Sequence, residues 1–252
     1  MNTGFKEKLL QQQPVIGTLV TLNAPEIAEI LSHCGFDWLF IDMEHGALSF
    51  PDIQHLIQAV GERCATLVRI PENKAMWIEK VLDIGCDGII VPSVNTALEA
   101  KQAIAAAKYP PVGTRSVGIA RAHGYGMAFD EYVTMANGHV SVLIQIEHIK
   151  GVENLEEILN VDGIDGVLIG PNDLAGSMNL LGQVNHELVQ EAISTIKQIC
   201  RKRAVPVGLF TRKAEAASRE IADGCQIIAV GTDTLLLSNA AMQILATVKN
   251  VG

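Results

Sequence analysis

The stretch Gly163-Ile164-Asp165-Gly166-Val167-Leu168-Ile169-Gly170-Pro171-Asn172-Asp173 decides the fold. It opens on Gly-x-Asp, where glycine can take the left-handed conformation that closes a helix before the turn into a strand. Val167-Leu168-Ile169 is a short, unbroken apolar run. Such runs mark parallel strands buried on both faces. The run ends on Asn172 and Asp173, which are polar groups at a strand exit rather than core residues. The same pattern recurs. Gly35-Phe36-Asp37, Gly85-Cys86-Asp87-Gly88 and Gly224-Cys225-Gln226 each precede a β-rich run, and Val142-Leu143-Ile144 and Ile227-Ile228-Ala229-Val230 are again continuously apolar.

Working outward, strands are predicted over Val15–Val20, Asp37–Asp42, Ala65–Ile70, Gly88–Pro92, Ser141–Glu147, Gly166–Gly170, Pro206–Phe210 and Gln226–Gly231. Amphipathic helices lie between them. Ile27, Ile30, Leu31 and Cys34 follow the i, i+3, i+4, i+7 spacing, as do Ile53, Leu56, Ile57 and Val60, and Val189, Ala192, Ile193 and Ile196. Ser49-Phe50-Pro51-Asp52 resembles a capping box. Further helices are predicted over Lys74–Ile84, Thr96–Lys108, Val152–Leu159, Lys213–Ala222 and Thr234–Val248. Eight β/α units in 252 residues, about 31 residues each, predict an α/β protein with a single (β/α)8 TIM barrel domain over residues 1–252. The alternative is an open doubly wound sheet, which usually carries a Gly-rich phosphate loop after its first strand. Here Val20-Thr21-Leu22-Asn23-Ala24-Pro25 stands there instead. Two segments, Tyr109–Val140 and Pro171–Glu187, are longer than a β/α turn needs, and long loops in compact domains are usually functional.

Composition agrees. Apolar residues make up 48% and aromatics only 4%, so aliphatic side chains and 22 Gly do the packing. The net charge of −9 argues against nucleic acid and against an anionic membrane surface as partners. No apolar run reaches the roughly 18 residues of a membrane span. The N-terminal residues lead into Gln11-Gln12-Gln13 rather than a signal-peptide core, so a cytoplasmic location is expected. Five Cys without a Cys-x-x-Cys pair are expected to be mostly buried, reduced thiols rather than metal ligands.

Barrel enzymes work at the C-terminal ends of their strands. The polar residues there are Asp42, Glu44 and His45, then Arg69, then Gln145, Glu147 and His148, then Asn172 and Asp173, with Thr211, Arg212, Thr232 and Asp233 beyond. Alternation puts Gln145 and Glu147 on one inward face above Leu143. With neighbouring strands about 4.8 Å apart, Glu147 and Asp173 can reach one point. Two carboxylates plus waters are the usual oxygen site for Mg²⁺ or Mn²⁺. Alternatively, Glu147 pairs with Arg69 and Asp173 caps a helix. Asp42 beside His45 would fix its tautomer and raise its basicity; alternatively, Asp42 caps the turn and His45 is a loop residue. Arg69 is either half of an ion pair or an anion clamp. His33, His55, His139 and His186 are expected at the surface or packed, and His148 to be structural. No predicted strand carries a Lys, which weighs against Schiff-base chemistry and toward metal-assisted chemistry.

Together these residues resemble the HpcH/HpaI aldolase family, within the phosphoenolpyruvate/pyruvate barrel superfamily. The resemblance rests on Gly35-Phe36-Asp37-Trp38-Leu39-Phe40-Ile41-Asp42-Met43-Glu44-His45, Val68-Arg69, Leu82-Asp83-Ile84-Gly85, Lys108-Tyr109-Pro110-Pro111-x-Gly113-x-Arg115, Leu143-Ile144-Gln145-Ile146-Glu147 and Gly163 to Leu174. It implies class II pyruvate aldol chemistry. Glu147 and Asp173 match the ligands of a divalent ion, Mg²⁺ or Mn²⁺, with Co²⁺ a further candidate. Arg69 matches the residue that stabilises the enolate oxygen. His45 matches the general base, oriented by Asp42. Asp83 matches an acidic residue that raises the basicity of that His from a neighbouring subunit. Gln145 and the segment Gly170, Pro171, Asn172 and Asp173 match contacts to pyruvate. The resemblance also implies homotrimers or homohexamers that exchange the last helix. The chain departs from better-known members in Ser116-Val117-Gly118-Ile119-Ala120-Arg121-Ala122-His123-Gly124-Tyr125-Gly126. That loop is expected to help form the aldehyde pocket, with Arg121 or His123 binding a distal anion or, equally, forming ordinary loop surface. Other readings are a lyase or synthase joining an enolate to a thioester or oxaloacetate, as in siderophore-type citrate synthases, and a non-catalytic barrel.

Overall fold

Eight parallel strands close on themselves in chain order, β1 against β2 and so on to β8 against β1. The computed structural model describes residues 4–249. The strands are β1 Val15–Val20, β2 Trp38–Asp42, β3 Ala65–Arg69, β4 Gly88–Val91, β5 Ser141–Ile146, β6 Gly166–Ile169, β7 Val207–Thr211 and β8 Ile227–Thr232. Each lies within one residue of its predicted ends.

Helices α1 Gly4–Leu10, α2 Pro25–His33, α3 Phe50–Val60, α4 Ala75–Ile84 and α5 Ala97–Ala107 come first. A 3-10 segment, Arg121–Gly126, leads to α6 Phe129–His139, α7 Ile149–Glu153, α8 Leu155–Ile158 and α9 Pro171–Ser177. Then follow α10 Glu187–Lys202, α11 Ala214–Ala222 and α12 Asp233–Lys249. Two capping arrangements set helix starts. Asp52 accepts from the Ser49 N–H (2.7 Å) and hydroxyl (2.6 Å) before α3. Before α5, the Thr96 hydroxyl accepts from the Glu99 N–H while Glu99 accepts from the Thr96 N–H.

Alternation along each strand divides the apolar residues into two cores. Val142, Ile144 and Ile146 of β5 face outward into the layer shared with the helices, with Val68, Leu39 and Ile41. Leu143 faces inward with Leu67, Phe40, Trp38 and Leu168. The lower mouth is plugged by α1. Its Phe5 and Leu9 join the inner core, and the Phe5 ring centroid is 5.6 Å from that of Trp38. That plug was not anticipated from the sequence.

Three expectations are corrected. The helix predicted over Val152–Leu159 is two helices, α7 and α8, broken at Asn154, whose side-chain amide donates to the Asn95 carbonyl (2.9 Å). The segment 109–140 is not all loop but contains the 3-10 segment and α6. On α2, Ile30 is 62% exposed and Cys34 is exposed at its C-terminus, so the predicted apolar face is only partly covered. The other four Cys are buried, and burial pushes the Cys86 and Cys200 thiols up to about 12. Among the described residues, no helix is long and apolar enough to cross a membrane.

Candidate active site

Register builds the centre of the site. Asp42 and Arg69 are ladder partners at the C-terminal ends of β2 and β3. The inward alternation of both strands aims the two side chains at the barrel axis. The Arg69 fork donates twice to Asp42, Nε to Oδ1 at 2.9 Å and Nη2 to Oδ2 at 2.7 Å. Nη1 faces Gln145 Oε1 at 3.4 Å, and the guanidinium lies over the Phe40 ring, 5.2 Å from its centroid. Burial alone would lower the Arg69 pKa. The hydrogen bonds and charge of Asp42, with Glu44 and Glu147 behind them, outweigh it and hold the group above its ordinary value.

Glu147 follows the last residue of β5. Its Oε1 accepts from the Ser93 N–H (2.8 Å) and hydroxyl (2.7 Å), and its Oε2 accepts from Gln145 Nε2. Ser93 does this from a left-handed backbone, φ 55°, a strained conformation for a residue with a side chain. Ser93 was not anticipated, because no pattern in the sequence signals a left-handed serine. Gly170 leaves the space that Glu147 fills. A Cβ there would lie 2.7 Å from Glu147 Cβ and 2.9 Å from Oε2.

Above this floor is a cavity of about 460 Å³ with Leu19, Phe40, Leu168 and Phe210 as its apolar wall. Asp42, His45, Arg69 and Gln145 reach it, as do Gly170, Pro171, Asn172 and Asp173 from the start of α9. A second cavity of about 380 Å³ adjoins it through His45 and Asp173, and Glu44, Glu147, Ser93 and Asn95 line it. The structure therefore gathers nine of the ten predicted site residues around two joined cavities. It does not bring in Asp83. That residue sits in the last turn of α4, at the opposite rim, where it pairs with buried Arg115 (2.7 Å).

Asp42 does not reach the His45 ring. Its Oδ1 accepts instead from the main-chain N–H groups of Glu44 (3.1 Å) and His45 (3.3 Å), so it caps the turn. The Glu147–Arg69 pairing weighed from the sequence is replaced by Asp42–Arg69, because the ladder register sets Asp42, not Glu147, beside Arg69. His148 caps α7, its Nδ1 accepting from the Lys150 N–H (3.1 Å).

The loop after Arg115 also lies elsewhere. It connects α5 to β5 and so sits at the N-terminal rim, beneath the barrel and away from the two joined cavities of the upper rim. His123 is 2% exposed, with Nδ1 accepting from the Gly126 N–H (3.0 Å) and Nε2 2.7 Å from the Gly118 carbonyl. It is a loop-folding residue, not an anion ligand. Arg121 donates to the Ile84 carbonyl (2.8 Å). The other long segment, 171–187, does sit at the C-terminal rim and supplies Asn172 and Asp173.

The donor set suits a hard divalent cation. Four carboxylates (Asp42, Glu44, Glu147 and Asp173) face one guanidinium across the two cavities. Burial pushes the Glu44 carboxyl up; Arg69 opposes that, while Glu147 and Asp42 reinforce it. Added positive charge would relieve this excess. Among the described residues, no three His, Cys, Asp or Glu side chains converge as a metal-binding group. Glu147 and Asp173 would thus need water or substrate oxygens to complete a shell, as Mg²⁺ and Mn²⁺ commonly accept.

Comparison with known proteins gives a concordant result. Residues 16–240 match the model of the HpcH/HpaI aldolase/citrate lyase family. The chain is 36% identical to the 2-keto-3-deoxy-L-rhamnonate aldolase of Escherichia coli K12, covering 99% of this chain and 94% of that protein. Its fold matches an HpcH/HpaI aldolase/citrate lyase family protein from Burkholderia cenocepacia J2315 with TM-score 0.95 and 31% identity, over 98% of this chain and 100% of that one. It also matches the citrate synthase SbnG with TM-score 0.89 and 27% identity, over 100% and 99% of the two chains.

Proposed function

This chain belongs to the HpcH/HpaI aldolase/citrate lyase family and is an enzyme of the carbon–carbon lyase type, and we propose that it is a metal-dependent class II aldolase. Its reaction is the reversible cleavage of a 4-hydroxy-2-oxo acid, of the 2-keto-3-deoxy sugar acid class, to pyruvate and an aldehyde. One observation carries this reading: Arg69 is held by Asp42 at the cavity floor with Nη1 turned toward Gln145, while Glu147 and Asp173 face the adjoining wall.

The assignment of roles follows from that geometry. Glu147 and Asp173 would hold Mg²⁺, Mn²⁺ or Co²⁺, which supplies Lewis acidity toward the carboxylate and keto oxygens of the oxo acid. Two donors of Arg69 are occupied by Asp42, so Nη1 is the edge left for the oxygen that becomes an enolate. Gln145 and the main chain around Asn172 orient the oxo acid. His45 accepts the C4 hydroxyl proton, the C3–C4 bond breaks, the aldehyde leaves and the electron pair remains as the enolate of pyruvate. Return of that proton to C3 gives the methyl group. The apolar wall of Leu19 and Phe210, with Thr21 and Thr232 beside it, suits a small aldehyde.

The same reading includes a homotrimer or homohexamer. Residues 236–249 of α12 are all exposed, among them Leu237, Ile244, Leu245 and Val248. The lower rim exposes Ile119, Tyr125 and Met127. Contiguous apolar surface of this kind marks a contact with another chain. Packing α12 against a neighbour, and one lower rim over a neighbour's upper rim, would bring Asp83 and the loop after Arg115 to another subunit's cavity.

Pyruvate incubated with the protein and Mn²⁺ in D₂O should exchange its methyl protons, followed by NMR, and EDTA should abolish the exchange. No exchange with any divalent ion would sink the aldolase reading. The likeness to the citrate synthase SbnG supports a second reading, an enolate joined to oxaloacetate or a thioester. Exchange without cleavage of any 4-hydroxy-2-oxo acid, but with consumption of oxaloacetate, would favour it.

A further inference from the structure

A carboxylate has about four lone-pair positions, two on each oxygen, to share between hydrogen-bond donors and a cation. On Glu147, one residue takes both positions of Oε1. Ser93, which follows β4, donates its N–H at 2.8 Å and its hydroxyl at 2.7 Å to that single atom. Gln145 Nε2 donates to Oε2. Among the described residues no further donor reaches the carboxylate, so one position on Oε2 stays open. Glu147 lines the second cavity together with Asp173.

The turn that carries Ser93 is braced on several sides. A left-handed φ of 55° persists at a residue with a side chain only where its neighbours impose it, and such positions cluster at functional sites. Here Asn95 Nδ2 donates to the Ser93 carbonyl (3.0 Å). The Asn95 N–H donates in turn to Glu99 Oε2 (2.7 Å) in the first turn of α5, and the Asn95 carbonyl accepts from Asn154 between α7 and α8. Buried Val94 donates its N–H to the Gln145 carbonyl (3.3 Å), which ties the turn to β5. Gln145 thus holds the turn through its main chain and Glu147 through its amide.

We propose that Ser93 is a positioning residue that sets which divalent cations the site accepts: by filling Oε1 it leaves Glu147 a single oxygen, Oε2, to offer a metal. The inference rests on the reading of Glu147 and Asp173 as metal ligands. Ca²⁺ collects roughly 6–8 oxygens and often takes both from one carboxylate. Mg²⁺ and Mn²⁺ take octahedral oxygen shells, and Mg²⁺ keeps several of its waters beside one or two carboxylates. Withholding Oε1 therefore costs Ca²⁺ more than the smaller ions. The same two bonds hold the carboxylate in one orientation, so their loss weakens every ion, but Ca²⁺ regains an oxygen that the others do not need.

The test is isothermal titration of the full chain with Mn²⁺ and with Ca²⁺, for the wild type, Ser93→Gly and Ser93→Ala. Glycine keeps the N–H, adopts the left-handed backbone without strain and removes only the hydroxyl; alanine removes the hydroxyl and keeps the strain. The wild type should bind Mn²⁺ more tightly than Ca²⁺. Both variants should lose about tenfold in Mn²⁺ affinity while Ca²⁺ affinity holds or rises, so the preference for Mn²⁺ falls about tenfold. A purely structural role for Ser93 weakens both ions alike, and equal losses overturn the proposal. So does an unchanged preference in Ser93→Gly, which decides the matter if Ser93→Ala does not fold. A wild type that binds neither ion would defeat the metal reading and this inference with it. A wild type that prefers Mn²⁺, beside a Ser93→Gly with the same preference, defeats the inference alone. Neither titration depends on turnover.

Discussion

At the scale of single residues, two positions show how close packing and burial govern this barrel. Gly170 has an ordinary negative φ of −101°, so its conformation does not require glycine; the Glu147 carboxylate at its α-carbon does. Gly170→Ala should displace Glu147 and weaken Mn²⁺ binding by about 100-fold, as small displacements in a catalytic constellation commonly do. Isothermal titration checks this, and unchanged affinity would remove Glu147 from the metal site. Lys108 is 3% exposed and donates to the Asn137 (2.9 Å) and Val140 (2.7 Å) carbonyls, and among the described residues no carboxylate lies within ion-pair distance of it. Burial, helped by the nearby charges of Lys6 and Arg115, pushes its amine down to about 8 from 10.5. Between those two values the unfolded chain binds more protons than the folded one, so stability rises with pH across that window. Compared with Lys108→Met, the wild type should gain up to about 3 kcal/mol as pH rises from neutrality to the top of the window. Urea midpoints at several pH values measure it, and a constant difference between the two proteins would contradict it.

Elements are set by local chemistry at their starts and by neighbours along their sides. The capping carboxylate of Asp52 was readable because capping is a contact between residues three apart. Asn154 breaks one predicted helix into α7 and α8 through a bond to Asn95, 59 residues away, which periodicity cannot register. The last helix is the sharpest case. It has the composition of a barrel helix, yet its first turn alone is anchored. There, buried Asp233 accepts from the Thr21 N–H and hydroxyl and from the Leu22 N–H, each at 2.8 Å. Covering a Leu or Ile contributes about 1.5–3 kcal/mol, so exposed Leu237, Ile244, Leu245 and Val248 favour a partner surface. Ile244→Asp should therefore shift the protein toward monomer in analytical ultracentrifugation while its far-UV circular dichroism stays the same. Unaltered sedimentation would show that α12 is not an intersubunit element.

For the whole molecule, the two rims of the barrel divide the roles. The upper rim gathers Asp42, His45, Arg69, Gln145, Glu147 and Asp173 around joined cavities. The lower rim carries α1, the Asp83–Arg115 pair and the loop with His123. Topology alone makes this division, because every connection from a strand to its helix opens upward and every return opens downward. A net charge of −9 appears ill-suited to an anionic substrate. Local charge decides that instead, since the carboxylates that repel an anion are also those that would hold a divalent cation beside Arg69.

The amino-acid sequence by itself determined the eight strands to within a residue, the inward face of β5, and the set of polar residues at the strand exits. Those properties follow from the two-residue period of a strand and from local turn chemistry, which act over a few positions. Pairing within that set was left to the tertiary structure. The Asp42–Arg69 register, the support of Glu147 by Ser93 and the placement of the 116–126 loop beneath the barrel all join residues that meet only when the sheet closes. A hydrogen bond has a range of about 3 Å and depends on angle, so it is fixed by the closed barrel's geometry rather than by distance along the chain.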